Sequence, residues 1–145
     1  MKRGDQMKSS VKLGVILIGL AIFSYAEAWG DAWKTFYSSG YGVYSYDTEN
    51  LIRPDKGVVK VRVKIVYGVK GVSDLVNKYG DKFENISSGI VLFEVRCSER
   101  TIRILSSTYY SMDGAVLLSD TPPNSEWGFI TPRSVGESLH KAVCK

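Results

Sequence analysis

VLFEVRCSERTIRILSSTYY, residues 91–110, contains two alternating apolar runs separated by a short polar reversal, and its reading decides the fold. Alternation over several residues marks a strand with one face buried. Two such runs across a polar turn read as an antiparallel hairpin. With Glu99-Arg100 as the tip, Cys97 lies opposite Ile102, Arg96 opposite Arg103 and Val95 opposite Ile104. This register puts Val91, Phe93, Val95, Cys97, Ile102 and Ile104 on one core face. On the other face Ile90, Leu92, Leu105 and Tyr109 are apolar away from the tip, which suits a central strand pair or a second face covered by a loop or another subunit.

Working outward, Asp113-Gly114 is a hairpin dipeptide, and Val116-Leu117-Leu118 returns as a further strand. Upstream, Val59, Val61, Val63, Ile65 and Tyr67 alternate with Lys60, Arg62 and Lys64, so the strand Val58–Tyr67 has one buried and one basic face. Trp33–Tyr37 and Val43–Asp47 read as short aromatic strands around the turn Ser38–Gly42. Asp47–Gly57 is polar and contains Pro54, so it is expected to be a loop. Gly68–Gly71 breaks the pattern, after which Ser73 caps a short helix to about Tyr79, stopped by Gly80. Ser134-Val-Gly-Glu137 is a capping box that starts the last helix, with Val135, Leu139, Ala142 and Val143 as its apolar stripe and Glu137 paired with Lys141 outside. The expected fold class is α+β: an antiparallel β-sheet meander with one short helix and a C-terminal helix packed on the sheet.

The first 28 residues read as a secretory signal peptide. A basic start, an apolar run Leu13–Phe23 and a small-residue exit Ala26-Glu27-Ala28 follow in order. The run is short of the roughly 20 residues a membrane-spanning helix needs. Cleavage is expected after Ala28, with Ala26 as the alternative, and Met7 is an alternative start to Met1. No cysteine lies at the exit, so a lipid anchor is not expected and the product is periplasmic or secreted, with no stable membrane anchor after cleavage. Residues 29–145, free of repeats and long linkers, are read as a single domain. In an oxidising compartment the two cysteines, Cys97 and Cys144, are expected to form a disulfide. Closing that loop is worth about 4 kcal/mol in the chain-entropy model. Docking the last helix on the hairpin's core face brings the two together.

The formal charge of +4 belongs partly to the leader, where Lys2, Arg3, Lys8 and Lys12 outnumber Asp5 and Glu27, so the basic balance is a weak argument for nucleic acid as a partner. Catalytic patterns are scarce. His140 is the only histidine, no Gly-x-Ser-x-Gly or phosphate loop occurs, and one histidine with two cysteines is too few for a four-ligand zinc site. No cofactor is expected. The carboxylates Asp47, Glu49, Asp113 and Asp120 suit turn chemistry first, although a small hydrolase acting through them is one alternative. The candidate binding face is the basic stripe Lys60, Arg62, Lys64, Arg96 and Arg103. It reads either as a solvated sheet face partly neutralised by Glu94 or as a strip for a polyanion or an acidic protein.

Trp33 with Tyr37, Tyr44–Asp47, the strand Val58–Tyr67, Phe93–Cys97 and Trp127…Pro132-x-Ser134…Cys144 together resemble the bacterial surface-adhesin protein E family. The likeness spans about Trp33 to Cys144. It implies an antiparallel sheet with helical cover, a dimer and no enzymatic activity; the family's type member is a surface adhesin for host matrix and serum proteins such as vitronectin and laminin. The chain departs from the lipid-anchored adhesin in lacking a cysteine at the leader exit. The expectation is therefore an exported, non-enzymatic binding module that engages a protein or polyanionic ligand through the sheet face. A structural or assembly subunit of the cell envelope is the other alternative.

Overall fold

The computed structural model describes residues 32–145. The leader reading and its cleavage alternatives lie outside the described residues. The strands are β1 (Trp33–Ser39), β2 (Gly42–Asp47), β3 (Ile52–Asp55), β4 (Val58–Tyr67), β5 (Ile86–Arg96), β6 (Thr101–Ser111), β7 (Val116–Asp120) and β8 (Gly128–Phe129). Helix α1 (Val69–Tyr79) follows β4, and α2 (Val135–Val143) ends the chain. The sheet is antiparallel in the order β1-β2-β4-β5-β6-β7, with β3 added to β4 and β8 added to β6. This is the α+β meander expected.

The sheet turns one face toward the helices. Val59, Val61, Val63 and Val95 on this inner face keep at most 1% of their surface, and Leu139 and Val143 of α2 pack against them. Fully burying side chains of this size contributes roughly 1.5–3 kcal/mol each. A second, aromatic cluster lies under α1, where Tyr67 stacks on Tyr109 (centroids 6.4 Å apart) and Phe83 packs between Tyr79 and Tyr109 at 5.0 and 5.6 Å. Gly89 sits mid-strand beneath that cluster because a Cβ there would lie 3.0 Å from the Tyr67 hydroxyl.

Helix α2 is fixed at both ends. Ser134 Oγ accepts a hydrogen bond from the Glu137 amide (3.2 Å), as the capping box requires, while the Glu137 carboxylate accepts from the Arg133 amide (2.8 Å) and from Arg100 (3.3 Å) rather than turning toward Lys141. At the other end Arg53 donates to the Val143 carbonyl (3.1 Å), and Cys144 is bonded to Cys97. His140 donates from Nε2 to the Cys97 carbonyl at 2.8 Å, which makes it a support for this junction.

Five local expectations are corrected. The hairpin register is shifted by two residues: Thr101 faces Arg96, Ile102 faces Val95 and Arg103 faces Glu94, because Cys97–Arg100 form a four-residue turn with Arg100 at φ 53°. A bulge at Leu105 then shifts β6, so Tyr109 joins Gly89 and the core face instead of the outer one. Ile104 does lie opposite Phe93 on the inner face, yet it is 43% exposed. Helix α1 begins at Val69, with Gly68 rather than Ser73 at its N-cap. Gly71 is a helix residue whose missing Cβ lets the turn pack on the Tyr41 carbonyl, and Gly68 N–H donates to that same oxygen at 2.9 Å. Finally, the expected loop contains β3, whose Pro54 is tolerated because the strand lies at an edge.

Candidate binding face

Neither described helix packs on the outer face of the sheet, and all five basic residues of the expected stripe lie there. Lys60, Arg62 and Lys64 reach it by alternation along β4, Arg96 from the end of β5 and Arg103 from β6. The corrected register changes their electrostatics. Arg96 and Arg103 are no longer forced opposite one another. Instead Glu94, only 7% exposed, accepts from Arg103 Nε and an Arg103 NH group at 3.1 and 2.7 Å, and lies 3.7 Å from Lys60. Such a charge-assisted pair orders the centre of the face.

Asp47 neutralises the upper part. Pairing of β2 with β4 puts it beside Arg62, 3.5 Å away, and it is 2% exposed. Burial alone would raise its pKa. The Asn50 side chain and the amides of Asn50 and Glu49 donate to it, and with Arg62 they hold the carboxyl below its ordinary value. Lys64 has no carboxylate partner among the described residues, and Arg96 pairs at 3.3 Å with Glu99 at the exposed tip.

Two tryptophans complete the surface. Trp33 on β1 lies 5.7 Å from both Arg62 and Lys64. Trp127, just before β8, lies 4.0 Å from the Arg96 guanidinium and 4.5 Å from that of Arg103. Strand β8 explains this placement: Phe129 faces Thr101, so Trp127, two residues earlier, falls over Arg103. Sequence reasoning found the cations but missed Trp127 as their partner. The alternating pattern Trp127-Gly-Phe129 was the available signal, and it becomes informative only once its pairing with the hairpin tip is known. An arginine over an aromatic ring keeps its N–H donors in the guanidinium plane; Arg103 gives Nε and one NH group to Glu94 and Arg96 one to Glu99, and the remaining N–H groups are left to meet anionic oxygens.

Asp113, expected to do turn work, accepts from Ser111 Oγ and the Ala115 amide within the β6–β7 turn, which holds its pKa below the ordinary value. Among the described residues no group of three or more His, Cys, Asp or Glu side chains is placed to hold a metal ion, and no helix is long and apolar enough to cross a membrane.

Comparison with solved structures finds the same fold in Haemophilus influenzae protein E. Its crystal form II matches with a TM-score of 0.54 at 11% identity, covering 79% of this chain and 87% of that one. The selenomethionine form matches with a TM-score of 0.52, also at 11% identity, over 79% of this chain and 86% of the other. At such identity the likeness is one of fold. No curated protein matches the sequence. The surface-adhesin protein E family model matches residues 33–145, and the chain belongs to that family.

Proposed function

We propose that this chain is an exported, non-enzymatic binding module of the surface-adhesin type, which engages an acidic protein or polyanion through the outer face of its sheet. The observation that carries this reading is the Arg96–Trp127–Arg103 stack on a face that neither described helix covers. Five cations share that face with the carboxylates of Asp47 and Glu94, and Glu99 pairs with Arg96 at the tip, so a positive excess remains on a hydrogen-bonded platform. Preorganised side chains lose little entropy on binding, and arginine and tryptophan are the residue types that most often dominate interface energies. Export is supported by the basic-apolar-small leader pattern and by the Cys97–Cys144 disulfide, a bond typical of oxidising compartments. Family membership favours adhesion to host ligands as the role.

Crosslinking capture of partners from host matrix and from the native cell envelope tests it. The wild-type protein should capture a partner that a folded Lys64→Glu/Arg96→Glu variant loses. Identical partner sets for the two proteins would refute the assignment of the face.

A further inference from the structure

On the opposite side of the sheet, between its inner face and the first turn of α2, lies an apolar cavity of about 210 Å³. Val63, Ile65, Phe93 and Ile102 form its floor, and Leu139 and Gly136 of α2 form its roof. The edge-to-face pair of Phe36 and Tyr44, with ring centroids 6.3 Å apart, closes one side. The only polar side-chain atom in this lining is the Tyr44 hydroxyl. An enclosed apolar cavity of about 150 Å³ takes up benzene, and this larger pocket, partly open to solvent and apolar but for one hydroxyl, offers hydrocarbon a comparable surface.

The cavity follows from how α2 is mounted. Its C-terminal half is drawn onto the sheet by the Cys97–Cys144 bond, the Arg53 bond to Val143 and the burial of Leu139 and Val143 at 2% exposure each. Its N-terminal turn, with Val135 and Gly136 both half-buried, stands over the gap. Gly136 is informative. Glycine costs a helix about 1 kcal/mol relative to alanine. Yet a Cβ here would meet nothing closer than Ser134 Oγ at 3.6 Å and Ile130 Cγ2 at 3.8 Å. Packing therefore does not demand glycine at 136, as it does at 71.

We infer that this cavity is a binding site for the hydrocarbon end of a small amphiphile, a single medium-length acyl chain. Ligand pockets for whole drug-sized molecules run from about 300 Å³ upward, so the volume suits one chain end with its head group left in water. Ile104, on the same inner face and 43% exposed, gives an apolar sill over which the chain leaves the cavity. The site is separate from the cationic face and stands without it.

Decanoate, titrated below its micelle concentration into the methyl-labelled full chain with its disulfide intact, is the test. A single saturable site should appear, with shifts confined to Val63, Ile65, Ile102, Val135 and Leu139. Ile102→Phe and Val135→Phe each fill the space and should weaken binding by about tenfold or more while the protein remains folded. Arg96→Glu should leave it unchanged. Absence of saturation, shifts centred on Val43 and Val66 of the outer face, or undiminished affinity in a folded filled variant would each overturn the proposal.

Discussion

Replacing both Cys97 and Cys144 with alanine removes the covalent tie between the hairpin tip and α2. The cysteines are 47 residues apart in sequence, and for a loop of that size the chain-entropy relation gives about 4 kcal/mol at 25 °C. The native contacts at the junction survive the change: Leu139 and Val143 remain buried, Arg53 still reaches the Val143 carbonyl and His140 the residue-97 carbonyl. The loss should therefore arise mainly from an unfolded state that has regained its freedom. For a domain with a net stability of roughly 5–15 kcal/mol the variant should still fold, with a melting temperature lower by roughly 12–20 °C. Urea unfolding of the oxidised protein and the double variant measures the difference directly, and a larger m-value in the variant would report the less constrained unfolded chain. A loss below about 1 kcal/mol would refute the reasoning, since it would mean that the bridge adds little to packing already sufficient to hold the helix.

Three further outcomes follow from single contacts. Gly71→Ala and Gly136→Ala are the same change in two helices and should have opposite signs. The first forces a methyl onto the Tyr41 carbonyl and should cost about 1–3 kcal/mol, whereas the second meets only ordinary contacts and should gain about 0.4–1 kcal/mol, both read by thermal denaturation. Glu94→Gln should destabilise the protein by about 1–2 kcal/mol in urea unfolding, less than a fully buried pair would, because Arg103 and Lys60 reach solvent. Asp47 has its folded pKa held below 3.8, so its contribution is complete above that value and is lost as pH falls through the lower folded pKa. In acid unfolding curves Asp47→Asn should flatten the stability slope below about pH 4, and an unchanged slope would contradict the assignment.

Much of the architecture was legible because it is written in local periodicity. The alternation of Val58–Tyr67, the Ser134–Glu137 cap and the two apolar runs around Cys97 each specify an element without help from the rest of the chain. What failed was set by contacts distant in sequence. Gly71 reads as a helix breaker, but it is a helix residue chosen by its approach to the β1–β2 turn. The bulge at Leu105 carries no local mark, and it alone moves Tyr109 from one face to the other. The same division holds for the binding face. Lys60, Arg62 and Lys64 follow from a two-residue period, and Arg96 and Arg103 from the hairpin. Their partners Asp47 and Trp127 depend on the β2–β4 and β6–β8 pairings, which place them beside those cations only in the folded sheet.

The outer face itself is the central claim, and a shift map with a sulfated oligosaccharide tests it most directly. On titration into the folded protein, the Trp127 indole N–H and the side chains of Lys64, Arg96 and Arg103 should move together, saturate, and weaken as salt is added. Both helices should stay still. Shifts centred on α1 or α2, or none at concentrations that saturate other cationic sheet surfaces, would contradict the account.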